Sequence, residues 1–166
     1  MQTFLVLAVL LSAPGDKPLS APVEVTMTAA RATIEKQPAD EKNARKDFGP
    51  GLEHIRAALD DLDFNTFRLV KSSKNIVKPG EEAHFPINGR YSLYFTAVGR
   101  DAEERIRVSV QIKEKVKKTV DGQEQVVLRE ALSTTCAVVA GKPLRLGGLK
   151  LDEGQLVVIV VVREQA

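Results

Sequence analysis

The chain has 166 residues, 43% of them hydrophobic and 28% charged, which suffices for one domain with its own core. Its 24 basic and 22 acidic side chains leave a net charge of +2, too balanced to imply nucleic acid as a partner, because phosphate neutralisation needs a clustered basic face. Aromatic residues make up 5% and Trp is absent, so base-stacking or sugar-stacking platforms are poorly supplied and the core has to be built from Val, Leu, Ile and Ala.

Residues 1–15 open with an unbroken apolar run, Phe4 to Leu11, followed by Ser12, Ala13 and Gly15. A short apolar centre with a small-residue exit is the pattern of a secretory signal peptide, and it is too short to span a bilayer. Cleavage before Asp16 is expected, and the mature protein is then exported to the periplasm or cell envelope. The competing reading is a buried N-terminal strand, because no Lys or Arg precedes the run. Residues 16–22, "DKPLSAP", read as a Pro-rich linker. The expected single domain covers residues 23–166.

That domain begins with a strand pattern in which Val23, Val25 and Met27 alternate with Glu24, Thr26 and Thr28. The polar stretch that follows has no periodicity and ends in the breakers Gly49-Pro50-Gly51. Leu52, Ile55, Leu59 and Leu62 then fall on one face of a helix, with Glu53, Arg56, Asp60 and Asp61 outside. The spacing predicts about three turns, with an apolar stripe that needs a sheet to rest on. From Thr66 onward the text is β-rich. Phe67 and Leu69 alternate with Arg68 and Val70, and Pro79-Gly80 and Asn88-Gly89 mark turns. In "RIRVSVQIKEK", Ile106, Val108, Val110 and Ile112 alternate with Arg107, Ser109, Gln111 and Lys113, so one face is buried and the other wet.

Asp121-Gly122 turns the chain back into "QVVLREALSTTCAVVA". Gly141 and the Gly147-Gly148 pair are the expected structural corners, the pair turning the chain or supplying a bulge that brings the last strand into register. Leu156 to Val162 is seven apolar residues without alternation, so both of its faces must be covered: a central strand, with the helix on one side and other strands on the other. The fold class is α+β and β-rich, with antiparallel or mixed sheets and one amphipathic helix packed on them.

The segment from Arg105 to Leu149 resembles the core β region of bacterial secretins, the outer-membrane ring proteins of secretion systems and pili. The resemblance rests on an amphipathic strand, "IRVSVQIKE", a charged arm, "KVKKTVDGQEQ", and the strand "STTCAVVAGKPLRLGGL". Thr134, Thr135, Val138, Gly141, Leu146, Gly147, Gly148 and Leu149 are the matching positions, within a secretin-like module at about residues 88–166. The strands by which secretins enter the outer membrane have no counterpart here, so the resemblance implies a small exported module and not a whole pore.

Catalytic chemistry finds little support. His54 and His84 lie apart, without Cys or His at metal-ligand spacing, and read as a partly exposed helix residue and a half-buried strand residue. Cys136 in its apolar setting reads as a buried, inert thiol. Lys142 follows Gly141 outside any phosphate-loop frame, and Asp60, Asp61 and Asp63 lack calcium-loop spacing and read as a solvated face. "KEKVKKT" reads either as a Lys-protected exposed hairpin or as a contact for an acidic partner or anionic lipid. The expectation is a non-enzymatic exported module, accessory to an envelope assembly, that meets a protein partner or itself. It needs no cofactor, metal, nucleic acid or integral membrane span. The alternative is an exported small-ligand binder or enzyme with a loop-built site.

Overall fold

A computed structural model describes residues 16–35 and 46–165; the signal-peptide reading of residues 1–15 lies outside them. Among the described residues, nine strands form two sheets in the order β2-β3-β1-β9-β8 and β4-β5-β6-β7. In chain order these are β1 (Val23–Thr33), β2 (Asp47–Phe48), β3 (Thr66–Val77), β4 (Glu82–Pro86), β5 (Tyr91–Arg100), β6 (Ile106–Val120), β7 (Gln123–Val138), β8 (Pro143–Leu151) and β9 (Gly154–Glu164). All pairings are antiparallel except the short β2–β3 contact. The two sheets lie face to face, and the chain switches between them after Val77, where Gly80 has φ 78°, and after Val138, where Gly141 has φ 80°.

The β9 strand shows why this sequence needs three layers. Leu156, Val158, Val160 and Val162 point into the sandwich, against Val25, Met27 and Ala29 of β1 and the inner faces of β5 and β6. Val157, Ile159 and Val161 point the other way, into a second cluster with Ala30, Ala32, Phe67, Leu52, Ile55 and Leu59. Every residue from Leu156 to Val162 is buried, and β9 lies between β1 and β8, the central placement expected from its lack of alternation. Each such side chain contributes about 1.5–3 kcal/mol by leaving water. The strict alternation in β6 buries Ile106, Val108, Val110 and Ile112 and leaves the intervening residues half-buried on the uncovered outer face of their sheet.

The helix is shorter than its apolar spacing predicts. A 3-10 turn, Glu53–Ile55, leads into α1, Arg56–Leu59. Its terminal carbonyls are taken from outside: Arg145 donates to the Ala58 oxygen at 3.0 Å, and the Lys46 ammonium donates to the carbonyls of Asp60 and Leu62. Those donors replace a further helical turn. Leu62 still reaches the second cluster, through a turn closed by its N–H on the Leu59 carbonyl at 3.2 Å.

Three further expectations need correcting. Residues 16–22 are not a free linker: Lys17 exchanges both backbone hydrogen bonds with Arg100, Asp16 pairs with Arg107 at 2.6 Å, and Leu19 is buried in the core. Gly99 makes this docking possible, since a Cβ there would stand 2.8 Å from the Lys17 carbonyl oxygen. The polar stretch before the helix contains β2, whose Phe48 stacks on Phe67 at 5.0 Å beneath the Arg56 guanidinium. In β3 an unpaired residue at Val70 breaks the alternation, so Val70 leans on the main core while Leu69 is exposed.

Candidate functional site

The β6–β7 hairpin outruns the sandwich. Ile112, paired with Leu132, is its last apolar core residue. Beyond it the two strands remain paired, Lys113 with Glu130 through Val120 with Gln123, and reverse at Asp121 (φ 50°) and Gly122 (φ 75°). The six residues from Lys115 to Val120 carry this arm about 20 Å past the body. Among the described residues no second layer lies behind it. Val126 is 64% exposed and Leu128 53%, with Lys117 and Lys115 directly across the ladder from them. Val116 faces Val127 on the opposite face.

At the root of the arm sits Glu114, 3% exposed although charged. Its two carboxylate oxygens accept from different guanidinium groups, Arg90 on one and Arg129 on the other. A buried carboxylate persists when hydrogen-bonded cations replace its water. The Arg129 hydrogen bond holds the Glu114 pKa below the ordinary glutamate range, burial opposes it, and Arg90 adds to the lowering. Asn88 fixes the β4–β5 turn that presents Arg90, its side-chain oxygen accepting from the N–H groups of Arg90 at 2.9 Å and Tyr91 at 2.7 Å. The Arg90 carbonyl in turn accepts from the Lys115 N–H at 2.7 Å. Tyr91 donates its hydroxyl to the Lys150 carbonyl of β8 at 2.8 Å and so ties the two sheets together at this point; burial raises its pKa, and the Glu114 carboxylate adds to the rise.

Between the arm root and β8 lies an open cleft of about 350 Å³, lined by Arg90, Glu114, Arg129, Gly148 and Lys150 among others. Two of its three cations are committed to Glu114. Gly147 and Gly148 both stand opposite Val157, as the two-against-one residues of a bulge in β8, and Gly148 has φ 86°, the left-handed region a glycine enters without cost. Gly141 lies apart from them, at the crossing from β7 to β8, where its N–H donates to the Val162 carbonyl at 2.8 Å. Of the three glycines, Gly148 alone lines the cleft.

The other sequence candidates are scattered. His84 is exposed and not half-buried, because it alternates out of phase with the buried Ala83 and Phe85; it stacks on Tyr94 at 4.8 Å, and Lys113 covers that ring at 4.3 Å. His54 is exposed at the helix start, its Nε2 within 3.1 Å of the Thr28 hydroxyl. Cys136 is half-buried on β7 against the main core, and burial pushes its thiol pKa up, away from the reactive thiolate. Asp61 pairs with Arg145. Among the described residues no group of three His, Cys, Asp or Glu is placed to hold a metal, and no helix is long and apolar enough to cross a membrane. The Glu114 clamp escaped the sequence reading; the signal available was a lone Glu in phase with the buried face of β6.

No family model, curated protein or solved structure matches the chain.

Proposed function

We propose that this chain is a non-enzymatic, exported interaction module of the cell envelope that works through its β6–β7 arm. One observation carries the reading: a charged and apolar ribbon, clamped at its root, is held out in water with Val126 and Leu128 uncovered. Two-stranded ribbons are at best marginally stable alone, and apolar groups held on one gain by being covered. The open edge of β7 offers the backbone groups by which strands recruit partners. Export rests on the signal-like residues 1–15, and an envelope role on the secretin-like residues 105–149.

A photo-crosslinking side chain at Val126, introduced in producing cells, tests this reading. The expected result is a discrete product with a protein, either a different chain or a second copy. No arm product, together with a small molecule that raises the melting temperature and loses its effect in Lys150→Ala, would establish the cleft-binding alternative instead.

A further inference from the structure

The open edges of the two sheets are not equivalent. Edge β2 has two residues, and edge β4 has five and ends on Pro86. Edge β8 begins at Pro143, carries the Gly147-Gly148 bulge and exposes Arg145 and Lys150. Short length, Pro, bulges and cations are the devices that keep edges from pairing. Edge β7 runs for sixteen residues without Pro or Gly, interrupted only where Ala131 has no partner on β6, and among the described residues nothing pairs with its outer side.

The uncovered part of that edge, Glu124-Gln125-Val126-Val127-Leu128-Arg129-Glu130, reads nearly the same in both directions. Such a strand is complementary to itself when antiparallel about a two-fold axis, the symmetry of the commonest dimers. We propose that β7 pairs with β7 of a second copy of this chain, with the axis at Val127, joining the two four-stranded sheets through their arms. The proposal rests on the reading of the arm as the interaction surface and names its partner.

The register follows from the side chains. With the axis at Val127, Val126 meets Leu128 of the second copy and Leu128 meets its Val126. These four apolar groups form one patch flanked by Lys115 and Lys117 of each copy, the residues that already stand beside them. On the other face the row runs Val116, Val127, then Val127 and Val116 of the second copy. Gln125 lies across from Arg129 of the second copy. One pair opposes the contact: Glu124 faces Glu130 of the second copy. Lys117, 2.9 Å from Glu124, and Lys113, across the ladder from Glu130, sit beside this pair and reduce its cost.

The test uses the purified full chain. Light scattering over a concentration series is expected to show a monomer–dimer equilibrium. Val127→Lys puts two ammonium groups at the axis and should raise the dissociation constant at least about tenfold, while a melting temperature equal to wild type at concentrations where both are monomeric proves that it folds. Glu130→Gln removes both Glu–Glu pairs and should lower the constant; weaker association would overturn the register. In a Cys136→Ala background, Val127→Cys should give a disulfide-linked dimer on mild oxidation, because paired strands bring Cα atoms within disulfide reach. Val120→Cys, far from the axis, should not. A monomer at every concentration, or a dimer indifferent to Val127→Lys, overturns the proposal. If the Val126 crosslinker then captures a different chain in cells, the interaction reading survives without the homodimer; if it captures nothing, both fall.

Discussion

The apolar segments of β9 and of the arm are the same kind of backbone under opposite conditions. From Leu156 to Val162, β9 has a strand on either side, a sheet against one face and a helix against the other, and every side chain is buried. From Gln123 to Glu130, β7 has one neighbouring strand and no layer among the described residues, and every side chain except Val127 is exposed. Both segments hold adjacent valines. What differs is the number of covered faces, so the energetic value of a valine here is set by its layer and not by its strand.

Substitutions of opposite expected size can break that comparison. Val160→Glu buries an unpaired carboxylate among Met27, Leu144 and the inner sheet; the loss should be about 4 kcal/mol or more, or failure to fold, read by denaturant unfolding. Next in size is Leu59→Ala, which opens a cavity between α1 and the outer face of β9 and should cost about 3 kcal/mol. A loss under about 1 kcal/mol would mean that the helix layer does not seal that face. Gly154→Ala places a Cβ 2.5 Å from the Ala32 carbonyl oxygen, at the point where β9 enters the sheet. Overpacking of this kind should cost about 1–3 kcal/mol.

The arm predicts smaller effects. Glu114→Gln keeps the shape of the root but loses a charge-assisted bond, at about 1–2 kcal/mol near neutral pH. Because the Glu114 pKa is lowered in the folded protein, its contribution is fully present above the ordinary glutamate value of 4.5 and is lost as pH falls through the folded value. The stability gap between wild type and Glu114→Gln should therefore close on acidification below about pH 4.5. A gap that is constant across that range would remove Glu114 from the clamp. The smallest effect belongs to Val126→Glu, expected within about 0.5 kcal/mol of wild type at concentrations where the chain is monomeric. A large loss there would show that the exposed arm is covered within its own chain.

The sandwich core was legible because it is periodic. Alternation in β1 and β6, the stripe Leu52, Ile55, Leu59 and Leu62, and the unbroken run in β9 each state how many faces water reaches. The Asp121-Gly122 turn was legible for a second local reason: it adopts backbone angles that other residue types resist, as Gly148 does in the β8 bulge. The candidate site was hidden, since Glu114, Arg90 and Arg129 come from three separate segments and a single Glu within an alternating strand has no local signature. The docking of residues 16–22 was hidden likewise, because Pro-rich text reads as a spacer while Leu19 and Lys17 are held by distant groups.

Sequence by itself therefore determined the class of fold, the central place of Leu156–Val162 and the position of the hairpin turns, because these depend on local backbone preference and on the count of covered faces. Only the tertiary structure decided how far the charged hairpin would outrun the core, which edge would stay open and which arginines would meet Glu114. Those outcomes depend on where one sheet ends relative to the other, a property that belongs to no single segment.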